Sequence, residues 1–142
     1  MKTNEYINMM LKFMGISEKN YVCNYFHLPR IYCVDGFNIS IQVNEGNYCG
    51  SENGYRTFGS EWKMVEWGFP SAPIDSKEYD AECYTDAETV NSVGSIETEK
   101  IDELLEQHNG IDIITTLSNA HEWLENEVRY SASRTRMSTL FK

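Results

Sequence analysis

Apolar residues recur at Ile7, Met10, Leu11 and Met14, three and four positions apart, which is the spacing of one helix face. The stripe predicts a helix from Thr3 to Met14, with Thr3 as N-cap and Gly15 as the residue that ends it. Tyr21 to Leu28 is aromatic and reads as extended, and Pro29 interrupts it because proline cannot donate to a sheet ladder. Ile31 to Val34 and Phe37 to Val43 flank Asp35-Gly36, a pair suited to a type I′ turn. In the second run Phe37, Ile39, Ile41 and Val43 alternate with Asn38, Ser40 and Gln42, which predicts a half-buried antiparallel strand.

Asn44 to Gly59 is polar and holds Gly46, Gly50, Gly54 and Gly59, so it reads as a long loop or a hairpin tip. Trp62 to Phe69 predicts another strand, with Lys63, Val65, Trp67 and Phe69 on one face, ended by Pro70 and Pro73. Asp75 to Glu88 is weakly patterned, and a short strand is expected around Thr89 to Val93. A helix from Glu97 to His108 follows from the Ile101, Leu104, Leu105, His108 stripe, and Asn109-Gly110 stops it. A last helix from Asp112 to Tyr130 carries Ile113, Leu117, Ala120, Leu124 and Val128 on one face. The order of elements predicts an α+β fold: an antiparallel sheet from the Tyr21 to Phe69 region, packed against an N-terminal helix and two C-terminal helices. Residues 1–130 read as a single domain and 131–142 as a basic C-terminal tail.

Charge changes this picture more than composition does. The net charge is −10, but fifteen acids against Lys77 and Lys100 give −13 between Asp75 and Glu127. Four basic residues and no acid give +4 from Arg129 to Lys142. An acidic body disfavours direct binding to duplex nucleic acid and favours a protein partner with a basic surface. Glu99, Asp102, Glu103 and Glu106 lie within two turns of one predicted helix, and Glu122 and Glu125 stand on the next, so these six form the expected partner-binding surface. The basic tail could instead meet the acidic body of a second copy, making a homo-oligomer. No apolar run approaches the ~20 residues that span a bilayer, and the N-terminus lacks the pattern of a signal peptide. No membrane association is therefore expected, and the cytoplasm is the expected location.

Candidate chemistry is sparse. Cys23, Cys33, Cys49 and Cys83 contain no Cys-x-x-Cys pair, and Cys33 among Ile31, Tyr32 and Val34 reads as a small buried hydrophobe. Cys49, in the glycine-rich Tyr48-Cys49-Gly50-Ser51, is the sharpest nucleophile candidate, yet His27, His108 and His121 are all distant in sequence. His108 and His121 could share a metal, but a histidine at a helix C-terminus more often meets the terminal carbonyls. The glycines could cradle phosphate with Arg56 as charge partner; phosphate loops, however, usually lead into a helix, whereas here a strand follows. Aromatic and arginine contacts leave no motif, so Tyr48, Tyr55, Arg56 and Trp62 form a second candidate set, for a small ligand. No catalytic residue, metal site or cofactor is assigned.

Ile39-Ser40-Ile41-Gln42-Val43, Tyr48-Cys49 and Val65-Glu66-Trp67-Gly68-Phe69-Pro70-Ser71 together carry a resemblance. A looser match continues through Thr89-Val90, Leu104-Leu105 and His108-Asn109-Gly110-Ile111. Over roughly Phe37 to Ile111 the chain resembles small proteins encoded by bacteriophages and prophages of Gram-positive gut bacteria, with Trp67 where a smaller β-branched residue is expected. The resemblance implies a phage context and carries over no activity and no functional residue. Taken with the charge, it makes the expected function that of a non-enzymatic accessory protein inhibiting a host defence nuclease, in the manner of an anti-CRISPR. The alternatives are a sponge for a small nucleotide signal and a structural or assembly protein of the virion.

Overall fold

The computed structural model describes residues 1–85 and 89–120. Its elements run α1 (Thr3–Phe13), β1 (Ile31–Tyr32), β2 (Asn38–Gln42), β3 (Gly50–Ser51), β4 (Gly54–Tyr55), β5 (Trp62–Gly68), β6 (Glu82–Cys83), β7 (Val93–Glu97) and α2 (Thr98–Gln107), and a further helix, α3, covers 113–120. The fold is α+β, with helices packed against an antiparallel sheet. The expectations for Leu124, Val128, Glu122, Glu125, His121 and the basic tail lie outside the described residues.

β5 is the centre of the sheet. One of its edges pairs with β2 and then β3, and the other pairs with β7, all antiparallel. β1 extends the sheet from β2, β4 from β3, and β6 from β7. The sheet thus reaches past the Tyr21 to Phe69 region, and the expected 89–93 strand lies later, at Val93–Glu97. Residues in register share a face, so Ile41, Val65, Trp67 and Ile96 point inward while Ser40, Gln42, Glu66 and Ser95 point outward. The inward residues meet Ile101, Leu104 and Leu105 of α2 and Tyr6, Ile7, Met10 and Leu11 of α1 in one core.

The face assigned to β5 needs correction. Trp62, Val65 and Trp67 are buried, whereas Lys63 and Phe69 are exposed. Gly50 pairs with Met64 and Ser51 with Trp62, so Lys63 is an extra residue in the ladder. The bulge breaks the two-residue alternation and returns Trp62 to the core face. Phe69 leaves the strand with a φ of 50°, which turns its ring to solvent.

Two other expectations shift for local reasons. Tyr21 to Leu28 is irregular rather than a strand, although Tyr21, Phe26 and Leu28 are buried. Its backbone is satisfied by side chains: the Gln42 amide accepts from Leu28 N (2.7 Å) and donates to Leu28 O (2.9 Å), and Asn44 donates to Phe26 O. The β1–β2 connection is a three-residue loop rather than a type I′ turn, because Cys33 N donates to Phe37 O and Gly36 N to Cys33 O. Gly36, at φ 96°, takes the single left-handed position of that turn-plus-bulge geometry. Gly15 ends α1 as expected, with a φ of 73°. Thr3, however, is the first helical residue and Lys2 the N-cap. In α3, Thr116 and Ala120 are buried and Leu117 is exposed, so the stripe is rotated from the predicted one.

Gly94 sits opposite Trp67, and above it the Trp67 indole donates to the Glu82 carbonyl at 3.1 Å. A Cβ on Gly94 would lie 1.8 Å from that carbonyl oxygen. At Gly68 the tightest approach would be to the Val93 side chain, at 3.0 Å, which can give way. We expect Gly94→Ala to cost about 3 kcal/mol in urea unfolding, and Gly68→Ala under about 1 kcal/mol. Equal costs would show that the β6–β7 contact does not set the difference.

Candidate functional site

Two surfaces carry most of the sequence-predicted residues that the structure describes, and the fold keeps them apart in character. The first is the solvent side of α2. Its inward stripe, Ile101, Leu104 and Leu105, is anchored in the core, which turns Glu99, Glu103 and Glu106 to water. Glu103 lies 3.5 Å from Lys100, a surface pair that contributes little.

Asp102 also has a task within the fold. Its Oδ1 accepts from Thr3 N at 2.8 Å and from Thr3 Oγ1 at 2.6 Å, so it caps the start of α1 from another helix. Glu61 and Glu97, which charge counting along the helices did not single out, join Glu99 and Asp102 around a cleft of ≈ 270 Å³ at the head of α2. The bulge in β5 positions Lys63 there too, with its Nζ 2.6 Å from Glu61 Oε1. That bond holds the Lys63 ammonium above its ordinary pKa. Asn4 grips the Trp62 backbone from both sides, accepting from its N–H at 2.6 Å and donating to its carbonyl at 3.1 Å, which fixes the cleft floor.

The second surface is built on the outer face of the sheet. The Glu66 carboxylate accepts from Tyr48 N at 2.9 Å and from Asn47 Nδ2 at 3.2 Å, pinning the loop after β2. This places the Tyr48 ring 4.8 Å from Tyr84, whose hydroxyl donates to Ser95 Oγ at 2.7 Å. The Arg56 guanidinium carbon lies 5.3 Å from the Tyr48 ring centre and 5.1 Å from that of Tyr55, within cation–π range. Tyr48, Tyr55 and Tyr84 all remain exposed. Three of the four predicted ligand residues are therefore together. Trp62 is not among them: it is 1% exposed, and its indole donates to Asn8 Oδ1 inside the protein. Tyr84 takes its place, a residue without a motif that only strand pairing brings near.

The string Val65 to Ser71 is accounted for by folding. Val65 and Trp67 fill the core, Glu66 pins Tyr48, and Gly68 pairs with both Ser40 and Val93. Ser71 then exchanges two bonds with the Asn38 backbone, and Arg30 donates to the Phe69 carbonyl.

The cysteines are all free thiols. Cys49 is wholly buried, donating to the Asn44 carbonyl at 3.4 Å with the Tyr21 hydroxyl at 3.7 Å, and burial pushes its pKa up to about 11. Cys33 is likewise buried and raised to about 12. A thiol that is protonated and enclosed is a poor nucleophile. His108 stacks on Phe37 at 3.9 Å and bonds Asp35 through Nδ1 at 2.8 Å, tying the end of α2 to the β1–β2 loop. Among the described residues no group of three or more His, Cys, Asp or Glu could hold a metal ion. No described helix is long and apolar enough to cross a membrane.

Compared with protein-family models, curated protein sequences and solved structures, the chain matches none of them.

Glu52 orders the tip that carries Tyr55 and Arg56. Its carboxylate accepts from Ser60 N (2.8 Å) and Glu61 N (2.7 Å), and these two backbone N–H groups pull its pKa from 4.5 to about 2. A depressed carboxylate contributes stability above pH 4.5 that is lost as pH falls toward 2. The urea midpoint of Glu52→Gln should therefore lie below wild type at pH 6, and the gap should close near pH 2. A gap independent of pH would show that the charge is not what the loop uses.

Proposed function

We propose that this chain is a non-enzymatic phage accessory protein that acts in the host cytoplasm by binding a macromolecule with a basic surface. The target we favour is a host defence nuclease of the CRISPR-effector kind. The observation that carries this reading is the head and outer side of α2, where Glu97, Glu99, Glu103 and Glu106 are exposed. Among the described residues only Lys100 and Lys63 make lysine–carboxylate ion pairs, with Glu103 and Glu61. Nuclease grooves are basic because they neutralise phosphates, and a fixed row of carboxylates can compete for the same lysines and arginines. The enclosed Cys49 supports binding over nucleophilic catalysis.

A second reading has its own observation. Tyr48, Tyr55, Arg56 and Tyr84 form a polar-aromatic patch suited to stacking on a planar, negatively charged ligand, as a nucleotide sponge would require.

Capture of a purified effector nuclease should weaken about tenfold or more between roughly 0.1 and 0.5 M salt. It should be lost in Glu103→Lys/Glu106→Lys with an unchanged melting temperature. Capture indifferent to both salt and charge reversal would overturn the acidic-surface reading. For the sponge, cyclic dinucleotides at millimolar concentration should raise the melting temperature of wild type but not of Arg56→Ala/Tyr84→Ala. No shift in wild type would remove that reading.

A further inference from the structure

Two arginines fall among the described residues, and the fold uses them differently. Arg30 directs its guanidinium inward, donating to Asn38 Oδ1 and to the Phe69 carbonyl. Arg56, just after β4, is exposed, and its guanidinium makes one described hydrogen bond, from Nε to the Asn47 carbonyl at 3.3 Å. It forms no ion pair with a described carboxylate, although the chain holds 22 acids against 12 lysines and arginines. Glu66, on the same outer face, is already taken up by Tyr48 N and Asn47 Nδ2. The backbone carries a second, independent mark. Arg56 sits at φ 55°, and its N–H donates to the Cys49 carbonyl at 2.8 Å. Glycine adopts that left-handed conformation freely, whereas a residue with a Cβ is strained in it. A long cationic side chain thus stands where the backbone alone favours glycine, and strain of this kind gathers at binding sites.

We propose that Arg56 is the anion-recognition point of the outer-face patch, taking one phosphate of a mononucleotide end-on while the base stacks on Tyr84. The inference rests on the sponge reading above and names the group and the phosphate on which that reading turns. Tyr48 and Tyr55 hold the guanidinium within cation–π range, and no described hydrogen bond uses its two Nη atoms. Those atoms form the fork that donates two parallel bonds to a phosphate, a geometry lysine cannot supply. Tyr48 touches both Arg56 and Tyr84, so the fork and the exposed Tyr84 ring lie within the reach of one nucleotide. The Tyr84 ring is held for stacking by the bond from its hydroxyl to Ser95. A single phosphate fits better than a strand. Glu66 and Glu82 both pair in register with Ser95 on this face, so further phosphates along it would meet carboxylates.

The test is a titration of the full ¹⁵N-labelled chain with adenosine 5′-monophosphate, followed by amide chemical shifts. Saturable shifts are expected at Tyr48, Arg56 and Tyr84. Adenosine, which lacks the phosphate, should bind about tenfold or more weakly, and so should acetyl-Gly-Tyr, which offers a carboxylate instead. Arg56→Lys should weaken the monophosphate about threefold or more, because the charge stays and the fork is lost. Arg56→Gly should abolish the shifts at Tyr48 and Tyr84 while its melting temperature stays within about 3 °C of wild type, since glycine accepts the left-handed backbone. No saturable shift in wild type, adenosine or the carboxylate binding as tightly as the monophosphate, or binding unchanged in Arg56→Gly would overturn the proposal. If cyclic dinucleotides stabilise the chain and Arg56→Gly still binds them, the fork falls and the sponge reading stands. If the monophosphate binds as described while cyclic dinucleotides give no shift in melting temperature, the fork stands and the sponge reading falls.

Discussion

The structure depends on one strand keeping three large side chains on the same face. Trp62, Val65 and Trp67 of β5 are all buried, yet simple alternation would send Trp62 outward with Met64 and Glu66. The extra residue at Lys63 resolves the conflict. Each indole also needs a partner for its N–H, and each finds one on a neighbouring element: Asn8 of α1 for Trp62 and the Glu82 carbonyl of β6 for Trp67. β5 therefore gathers its sheet neighbours by backbone pairing and α1 and β6 by the ends of its two tryptophans.

Side-chain amides and carboxylates complete what the short strands cannot. Asn4, Gln42, Asn44, Glu52 and Glu66 each satisfy backbone groups of segments distant in sequence. Strands of two residues make few ladder bonds, so loops must be held by such contacts or remain unsatisfied. This explains why the glycine-rich stretch, which reads as a long loop or a hairpin tip, presents Tyr48, Tyr55 and Arg56 in a defined arrangement. It also explains the string around Gly68: its residues close the β2–β5 pairing and hold the loop, which is work for the fold.

The two candidate surfaces follow from the same partition. Helices cover the inner face of the sheet, and α2 must then show its charged side to water. The outer face carries Ser40, Gln42, Glu66 and Ser95, and the tyrosines stand on it. On the readings proposed above, the acidic surface would act through charge, with reach and salt sensitivity, and the tyrosine–arginine patch through contact and shape. Asp102 belongs to neither category alone, because one oxygen holds α1 while its side chain borders the cleft.

Periodicity and charge made much of this legible in the sequence. The α1 and α2 stripes, the β2 alternation, Gly15 as a stop and the exposed acids of α2 all depend on neighbours three or four residues away, or two in a strand. Cys33 as a buried hydrophobe was readable from its apolar neighbours. Three things were not. The bulge at Lys63 depends on the register against Gly50 and Ser51, the capping role of Asp102 on a residue ninety-nine positions earlier, and the place of Tyr84 beside Tyr48 on the pairing of β6 with β7. The cleft around Thr98 likewise combines α1, β5 and α2. Local spacing determines which face of an element is apolar; which polar groups meet across elements is decided only when the chain closes on itself.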